Sequence, residues 1–137
     1  MVALAAVALA TFAQAGTIKW QITGNTAIYD GTADKTLTSA NTVYLFDAKT
    51  YTQLALFDAF AGDGIDFSKS LANVKLSDAG KFSVQSYDAN PDQAYSLYLA
   101  VVNGDNVFIT SDVAVSGPGT GKSTTKMFAA TAPSKNA

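Results

Sequence analysis

The sequence predicts a mainly β protein: a single antiparallel β-sandwich of about seven or eight strands, with one short helix near residues 50–61. Three observations predict this class. Short apolar runs have a period of two residues, and turn-forming residues separate them at intervals of roughly 8–12 positions. The chain of 137 residues also contains no Glu and no Arg. Few strong helix formers therefore remain, whereas Thr, Val, Tyr and Phe favour strands.

The strands follow from the apolar pattern. Ile18, Trp20 and Ile22 alternate with polar residues, which predicts a strand with one buried face. Residues 42–46 and 95–102 are apolar on both faces and are therefore expected in the middle of a sheet. A turn at 103–106 predicts a hairpin with 107–109. Further strands are expected at 113–115 and 126–129, and a second hairpin joins 74–76 to 82–84 through a turn at 78–80.

One segment has a helical rather than a two-residue period. Apolar side chains recur at helical spacing between residues 50 and 61, with Asp47 available as the N-cap and Gly62 as the stop. This pattern predicts the single short helix of the fold. A second helical turn is expected at residues 68–72.

The first residues are typical of an export signal. Residues 2–12 form an uncharged apolar run, and the small-x-small sequence Ala13-Gln14-Ala15 follows it. The run is too short to span a bilayer, and Met1 directly precedes it, so the basic region of a signal peptide is missing. A buried Ala-rich helix is the alternative interpretation.

We therefore expect a signal peptide at 1–15, a sandwich domain at 16–130 and a flexible tail at 131–137. The expected location is secreted, periplasmic or at the cell surface, and the small-x-small site suggests a bacterial source. No later segment is long and apolar enough for an integral membrane span after signal cleavage.

The composition excludes many activities. The chain has no His and no Cys, which removes Ser-His-Asp and Cys-His triads, the usual zinc sites and disulfides. The absence of Arg removes the bidentate group that recognises phosphates. Nine Lys against eleven Asp give a net charge of −2, which does not provide the basic face that nucleic acids require. The sequence therefore predicts a protein that is not an enzyme and binds no nucleic acid.

A glycine-rich segment, Ser116-Gly117-Pro118-Gly119-Thr120-Gly121-Lys122-Ser123, resembles the Walker A loop of P-loop ATPases. That resemblance implies nucleotide binding, with the backbone amides and Lys122 on the phosphates. However, the first Gly of the pattern is Ser116 here, and an exported protein meets little ATP. We expect a flexible loop between the last two strands and no nucleotide.

Two groups of acidic residues are candidate sites. Asp88, Asn90 and Asp92 have the spacing of the first ligands of an EF-hand-type loop, but the later ligand positions hold Gln93 and Leu99. This pattern indicates at most a weak calcium site, and an Asn-Pro turn explains the same residues without a metal. No other cofactor is expected.

Asp63 and Asp66 lie in a second acidic turn, which is a further weak calcium candidate. Together with Asp58 they are also the carboxylates that a glycoside hydrolase would require. A solvated loop is the simpler interpretation of these residues.

Aromatic residues near loops are candidates for stacking on sugars. Tyr29, Tyr51 and Tyr87 have this placement, whereas Trp20 lies on the core face of its strand. The leading hypothesis is an exported, non-enzymatic structural or interaction module, with an unknown partner. The alternative is a carbohydrate-binding module that recognises surface glycans. A minor alternative is self-association into an extracellular fibre by strand donation, with residues 17–23 as the donor.

Overall fold

The computed structural model describes residues 15–31, 35–129 and 134–136. These residues form nine strands, one α-helix and two short 3₁₀ helices. The strands are β1 (Gly16–Ile22), β2 (Thr42–Asp47), β3 (Ala72–Lys75), β4 (Gln85–Ala89), β5 (Tyr95–Asn103), β6 (Asn106–Ile109), β7 (Val113–Val115), β8 (Ser123–Phe128) and β9 (Ser134–Asn136). The helix α1 is Gln53–Ala61, and the 3₁₀ helices are Thr23–Asn25 and Phe67–Lys69. The predicted fold class, mainly β with two sheets and one short helix, is confirmed. The predicted export segment, apart from Ala15, lies outside the described residues.

The strands form two sheets. A smaller sheet has the order β4-β1-β8, and a larger one has the order β3-β2-β5-β6-β9, with β7 also paired to β5. Every pair is antiparallel except β1 and β8, which are parallel from Thr17 opposite Ser123 to Ile22 opposite Phe128. The prediction of a purely antiparallel fold is therefore wrong for this pair. Parallel neighbours require a long connection, and here the rest of the domain provides it.

The main core lies between the two sheets. Ile18, Trp20 and Ile22 of β1 are almost completely buried, as the alternating sequence predicts. They pack with Leu97 and Leu99 of β5. The Trp20 indole contacts Phe82, with 5.4 Å between ring centroids. Its Nε1 has no hydrogen-bond partner within the described part of the chain.

A second core lies on the other face of the larger sheet. Leu56 of α1 packs there with residues of β2, β5 and β6, among them Phe46, Tyr98 and Val107. Consecutive residues of β5 therefore enter opposite cores, which explains why its sequence is apolar on both faces. The domain has three layers: the small sheet, the large sheet and the helix.

The N-cap of the helix lies five residues after the predicted one. Thr52 is the N-cap, and its hydroxyl accepts a hydrogen bond from the Ala55 amide at 3.0 Å. Asp47, the predicted cap, is instead buried at the end of β2, where Oδ1 accepts bonds from the amides of Lys49 and Ser96. Gly62 ends the helix as predicted, and its amide bonds the carbonyls of Asp58 and Ala59.

The predicted second hairpin is wrong. The turn itself exists, because the Gly80 amide bonds the Ser77 carbonyl and the Ser77 amide bonds the Lys81 carbonyl. The two arms then separate: β3 pairs with β2 in the large sheet, whereas the chain after Phe82 continues into β4 in the small sheet. Residues 77–81 therefore connect the two sheets.

The structure differs in part from two further predictions. The expected helical turn at 68–72 is a 3₁₀ helix at Phe67–Lys69, after which the chain enters β3. Within the segment predicted to be a tail, Ser134–Asn136 form β9 against β6. None of the helices in the described ranges is long and apolar enough to cross a membrane.

Candidate functional site

A groove of about 420 Å³ lies between α1 and the point where β6 is followed by β7. The helix forms one wall, and the end of β6 with the residues after it forms the other. The residues that line the groove are Gln53, Leu54, Phe57, Ile109, Thr110, Ser111 and Asp112. It is the best candidate for a binding site in the described ranges, because concave and largely apolar surfaces with a few polar groups are typical of such sites.

The groove exists because the strand is interrupted at Thr110. The Thr110 amide still bonds the Leu99 carbonyl at 3.0 Å, which continues the ladder between β5 and β6. The Leu99 amide, in turn, donates to the Thr110 hydroxyl at 2.8 Å and not to a backbone carbonyl. The chain therefore leaves the ladder without leaving that buried amide unpaired. Ser111 and Asp112 are consequently exposed at the rim.

Apolar side chains from both walls form the floor of the groove: Leu54 and Phe57 of α1, and Ile109 at the end of β6. Leu54 and Phe57 lie three residues apart and therefore face the same side of α1. Leu54 is 69% exposed, whereas Ile109 opposite is buried at 7% exposure. Phe57 is half-buried against the second core. An exposed leucine beside an aromatic ring on a concave surface offers contact to an apolar ligand face.

The rim has one carboxylate, and the fold holds it in place. The Ser96 hydroxyl donates to Asp112 Oδ2 at 2.6 Å. This bond lowers the pKa of Asp112 below its ordinary value, with smaller contributions from its own backbone amide and the Gln53 side chain. The Ser96 amide in turn donates to Oδ1 of buried Asp47 at 3.0 Å. The rim carboxylate is therefore connected to the buried end of β2.

The chemistry of the groove suits binding. Among the described residues that line it, Asp112 is the only ionisable side chain. An amide, hydroxyls and this carboxylate supply hydrogen bonds around an apolar floor. Sequence patterns do not predict this site, because the groove joins residues 53–57 to 109–112. The polar Thr110-Ser111-Asp112 directly after an apolar strand is the signal that indicates the break.

The predicted calcium residues lie around one turn. Asp88 is exposed on β4, and Asp92 is exposed in the turn that follows. The Asn90 side-chain oxygen accepts the Asp92 amide at 3.0 Å, an arrangement typical of an Asx turn. No group of three acidic side chains able to hold a metal ion occurs among the described residues. The weak calcium site stays a prediction.

The other acidic candidates are exposed. Asp58 lies on the outside of α1, and Asp63 lies in the loop after it. Asp66 accepts bonds from the hydroxyl and amide of Ser68 and thereby caps the 3₁₀ helix. The Ser68 hydroxyl lowers the pKa of Asp66, the opposite of what a catalytic acid needs.

The three candidate tyrosines have different environments. Tyr29 is 45% exposed, and Tyr87 is half-buried with its ring edge-on to Tyr95, at 6.1 Å between centroids. Tyr51 is 8% exposed, and its ring packs against Phe46. Its hydroxyl accepts the Asp66 amide. Tyr51 is therefore a core residue and offers no ring face to a sugar, which corrects the prediction for this residue.

The glycine-rich segment joins β7 to β8 and packs against the turn at Pro91. The Gly119 amide donates to the Pro91 carbonyl at 3.1 Å. A Cβ atom on Gly117 would lie 2.3 Å from the same carbonyl oxygen, so only glycine fits there without movement of the backbone. Close packing of two loops thus explains the glycine at 117.

No known protein family, no curated protein and no solved structure matches this chain.

Proposed function

We propose that this protein is an exported, non-enzymatic β-sandwich that acts as an interaction module at the cell surface or outside the cell. Its binding site is the groove between α1 and the break after β6. The observation that carries the proposal is the lining of that groove: an apolar floor of Leu54, Phe57 and Ile109, with one fixed carboxylate, Asp112, on the rim.

The lining favours binding over catalysis. General acid–base chemistry needs a group whose pKa lies near the working pH, commonly paired with a second titrating group. Asp112 has a lowered pKa because of the Ser96 hydroxyl, so it stays ionised and does not donate a proton near neutral pH. No second ionisable side chain is among the described residues of the lining.

The predicted cleavage site coincides with the beginning of β1. Ala15, the last residue of the predicted signal peptide, is exposed, and Gly16 is the first residue of β1 and is buried. A Cβ atom on Gly16 would lie 2.6 Å from the Pro118 side chain. Cleavage between Ala15 and Gly16 would therefore remove the leader and leave β1 intact.

The test uses the full chain expressed in a bacterial host. We expect protein outside the cytoplasm with Gly16 at its N-terminus, as determined by N-terminal sequencing. We also expect that secreted protein to be retained on the host cell surface. A Leu54→Asp variant should lose retention, whereas Met127→Asp should keep it, since Met127 is similarly exposed at 51% but lies on β8. Uncleaved intracellular protein, or equal retention of both variants, would contradict the proposal.

A second candidate is a fibre subunit that assembles by strand donation. The position of β1 favours it, because this first strand lies between β4 and β8 with its apolar face fully buried. A β1 strand from another copy would make the same contacts in the same place. Sedimentation of the secreted protein tests this candidate: concentration-dependent oligomers support it, and a monomer at all concentrations contradicts it.

A further inference from the structure

We infer that the groove between α1 and the break after β6 binds the ring of a neutral saccharide. The inference rests on the proposed function and specifies the ligand of the same site. The three properties that point to this class are the size of the groove, its polar rim beside an apolar floor, and its charge.

The size and the floor suit a sugar ring. Ligand pockets are typically about 300–1,000 Å³, and the volume of about 420 Å³ lies at the low end of that range. Sugar rings present C–H groups on one face and hydroxyls at the edge, so they require an apolar surface beside hydrogen-bonding groups. Leu54 and Phe57 supply the apolar surface on one side of α1.

The rim supplies both acceptors and donors. The Asp112 carboxylate, which already accepts the Ser96 hydroxyl at Oδ2, has further acceptor lone pairs, and the Gln53 amide has both an acceptor oxygen and donor N–H groups. Ser111 adds an exposed hydroxyl, whereas the Thr110 hydroxyl is already used as the acceptor for the Leu99 amide. A sugar hydroxyl is itself donor and acceptor, so neighbouring hydroxyls of one ring match this set.

The charge selects neutral ligands. Asp112 carries a negative charge at the rim, and this disfavours uronic, sialic and sulfated sugars. The carboxylate is already stabilised by the Ser96 hydroxyl and by its contacts with its own amide and Gln53. It therefore does not depend on a cationic ligand to compensate it. Among the described residues of the lining there is no Lys to attract an anionic sugar.

The test applies the secreted protein to an array of neutral and anionic glycans, followed by calorimetric titration of any neutral hit. We expect retention on neutral glycans only. Leu54→Asp should weaken the affinity by about tenfold or more, and Asp112→Asn should weaken it measurably. Met127→Asp should bind within about twofold of the parent protein, because it changes another exposed apolar side chain that lies away from the groove.

The fluorescence of Trp20, the single tryptophan of the chain, checks that each variant is folded. Retention of no glycan, retention on anionic glycans, or unchanged binding by folded Leu54→Asp would overturn the inference. These results are separable from failure of the proposed function. If the array is negative while Leu54→Asp still loses cell-surface retention, the saccharide class alone is wrong. If retention is also insensitive to Leu54→Asp, the groove is not the binding site.

Discussion

The hydroxyl of Tyr98 donates a buried hydrogen bond of 2.6 Å to the backbone carbonyl of Tyr51. Tyr98 lies in the middle of β5, and Tyr51 lies just before the N-cap of α1. The bond therefore fixes the start of the helix on the large sheet. Because α1 forms one wall of the groove, this single contact connects the core to the geometry of the proposed site.

Removal of this hydroxyl should destabilise the fold. Tyr98→Phe keeps the ring, which is stacked with Phe46, but leaves the Tyr51 carbonyl without this donor. We expect a loss of about 1–2 kcal/mol in the free energy of unfolding, measured by urea denaturation with Trp20 fluorescence. Tyr29→Phe is the matched control, since Tyr29 is 45% exposed, and should change stability by less than about 0.5 kcal/mol. Equal effects of the two variants would contradict the structural role.

The same residue makes the fold sensitive to high pH. Burial raises the pKa of Tyr98 above its ordinary value, and Tyr51 and Asp47 add to the shift. The folded state therefore holds the phenolic proton more tightly than the unfolded state, whose tyrosines titrate near about 10. This contribution to stability is complete below that pH and is lost as the pH rises further. The free energy of unfolding should fall above about pH 10, and less steeply in Tyr98→Phe. An identical slope in both proteins would refute the assignment.

Local patterns were sufficient to predict most elements. The alternation of Ile18, Trp20 and Ile22 predicts β1 and its buried face, and the Asn103–Asn106 turn predicts the β5–β6 hairpin. Gly104 at that turn has a φ of 62°, a conformation that glycine adopts readily. These features depend on neighbours in the sequence, and short-range periodicity reports them directly.

Long-range pairing was not predictable in the same way. Phe82 has the pattern of a hairpin partner for β3, yet it packs against Trp20 in the core between the sheets. Tyr51 has the position of an exposed loop residue, yet its hydroxyl reaches the Asp66 amide and its ring reaches Phe46. The groove combines two segments more than fifty residues apart. None of these contacts has a local signal in the sequence.

The pKa of the rim carboxylate, Asp112, should depend on Ser96. Its pKa is lowered mainly by the Ser96 hydroxyl, so Ser96→Ala should raise the pKa of Asp112 towards the ordinary value of about 3.9. Because the pKa of Asp112 is lower in the folded state than in the unfolded state, its ionisation stabilises the fold at pH values above the unfolded-state pKa. This contribution is lost as the pH falls through the folded-state pKa. Carboxyl NMR titration of Asp112 measures the shift. Ser111→Ala, beside it on the exposed rim, is the control and should leave the titration unchanged.

Gly117 should tolerate no side chain. The added Cβ of Gly117→Ala would lie 2.3 Å from the Pro91 carbonyl oxygen and 2.9 Å from the Asp92 carbonyl carbon, so one of the two loops must move. We expect a loss of about 1–3 kcal/mol in the free energy of unfolding. Ser116→Ala, one residue earlier and exposed, should cost less than about 0.5 kcal/mol. A fully stable Gly117→Ala protein would show that the two loops are not closely packed.

The contribution of the α1 N-cap to stability can be measured separately from that of the rest of the helix. The Thr52 hydroxyl accepts the Ala55 amide at 3.0 Å, and Thr52 itself is exposed, so its replacement leaves the core unchanged. Thr52→Ala should lower the free energy of unfolding by about 1 kcal/mol, whereas Thr52→Ser retains the acceptor and should stay close to the parent protein. Urea denaturation distinguishes the three proteins. If Thr52→Ala and Thr52→Ser are equally stable, the helix does not depend on this hydrogen bond, and another contact must fix its first turn beside the groove.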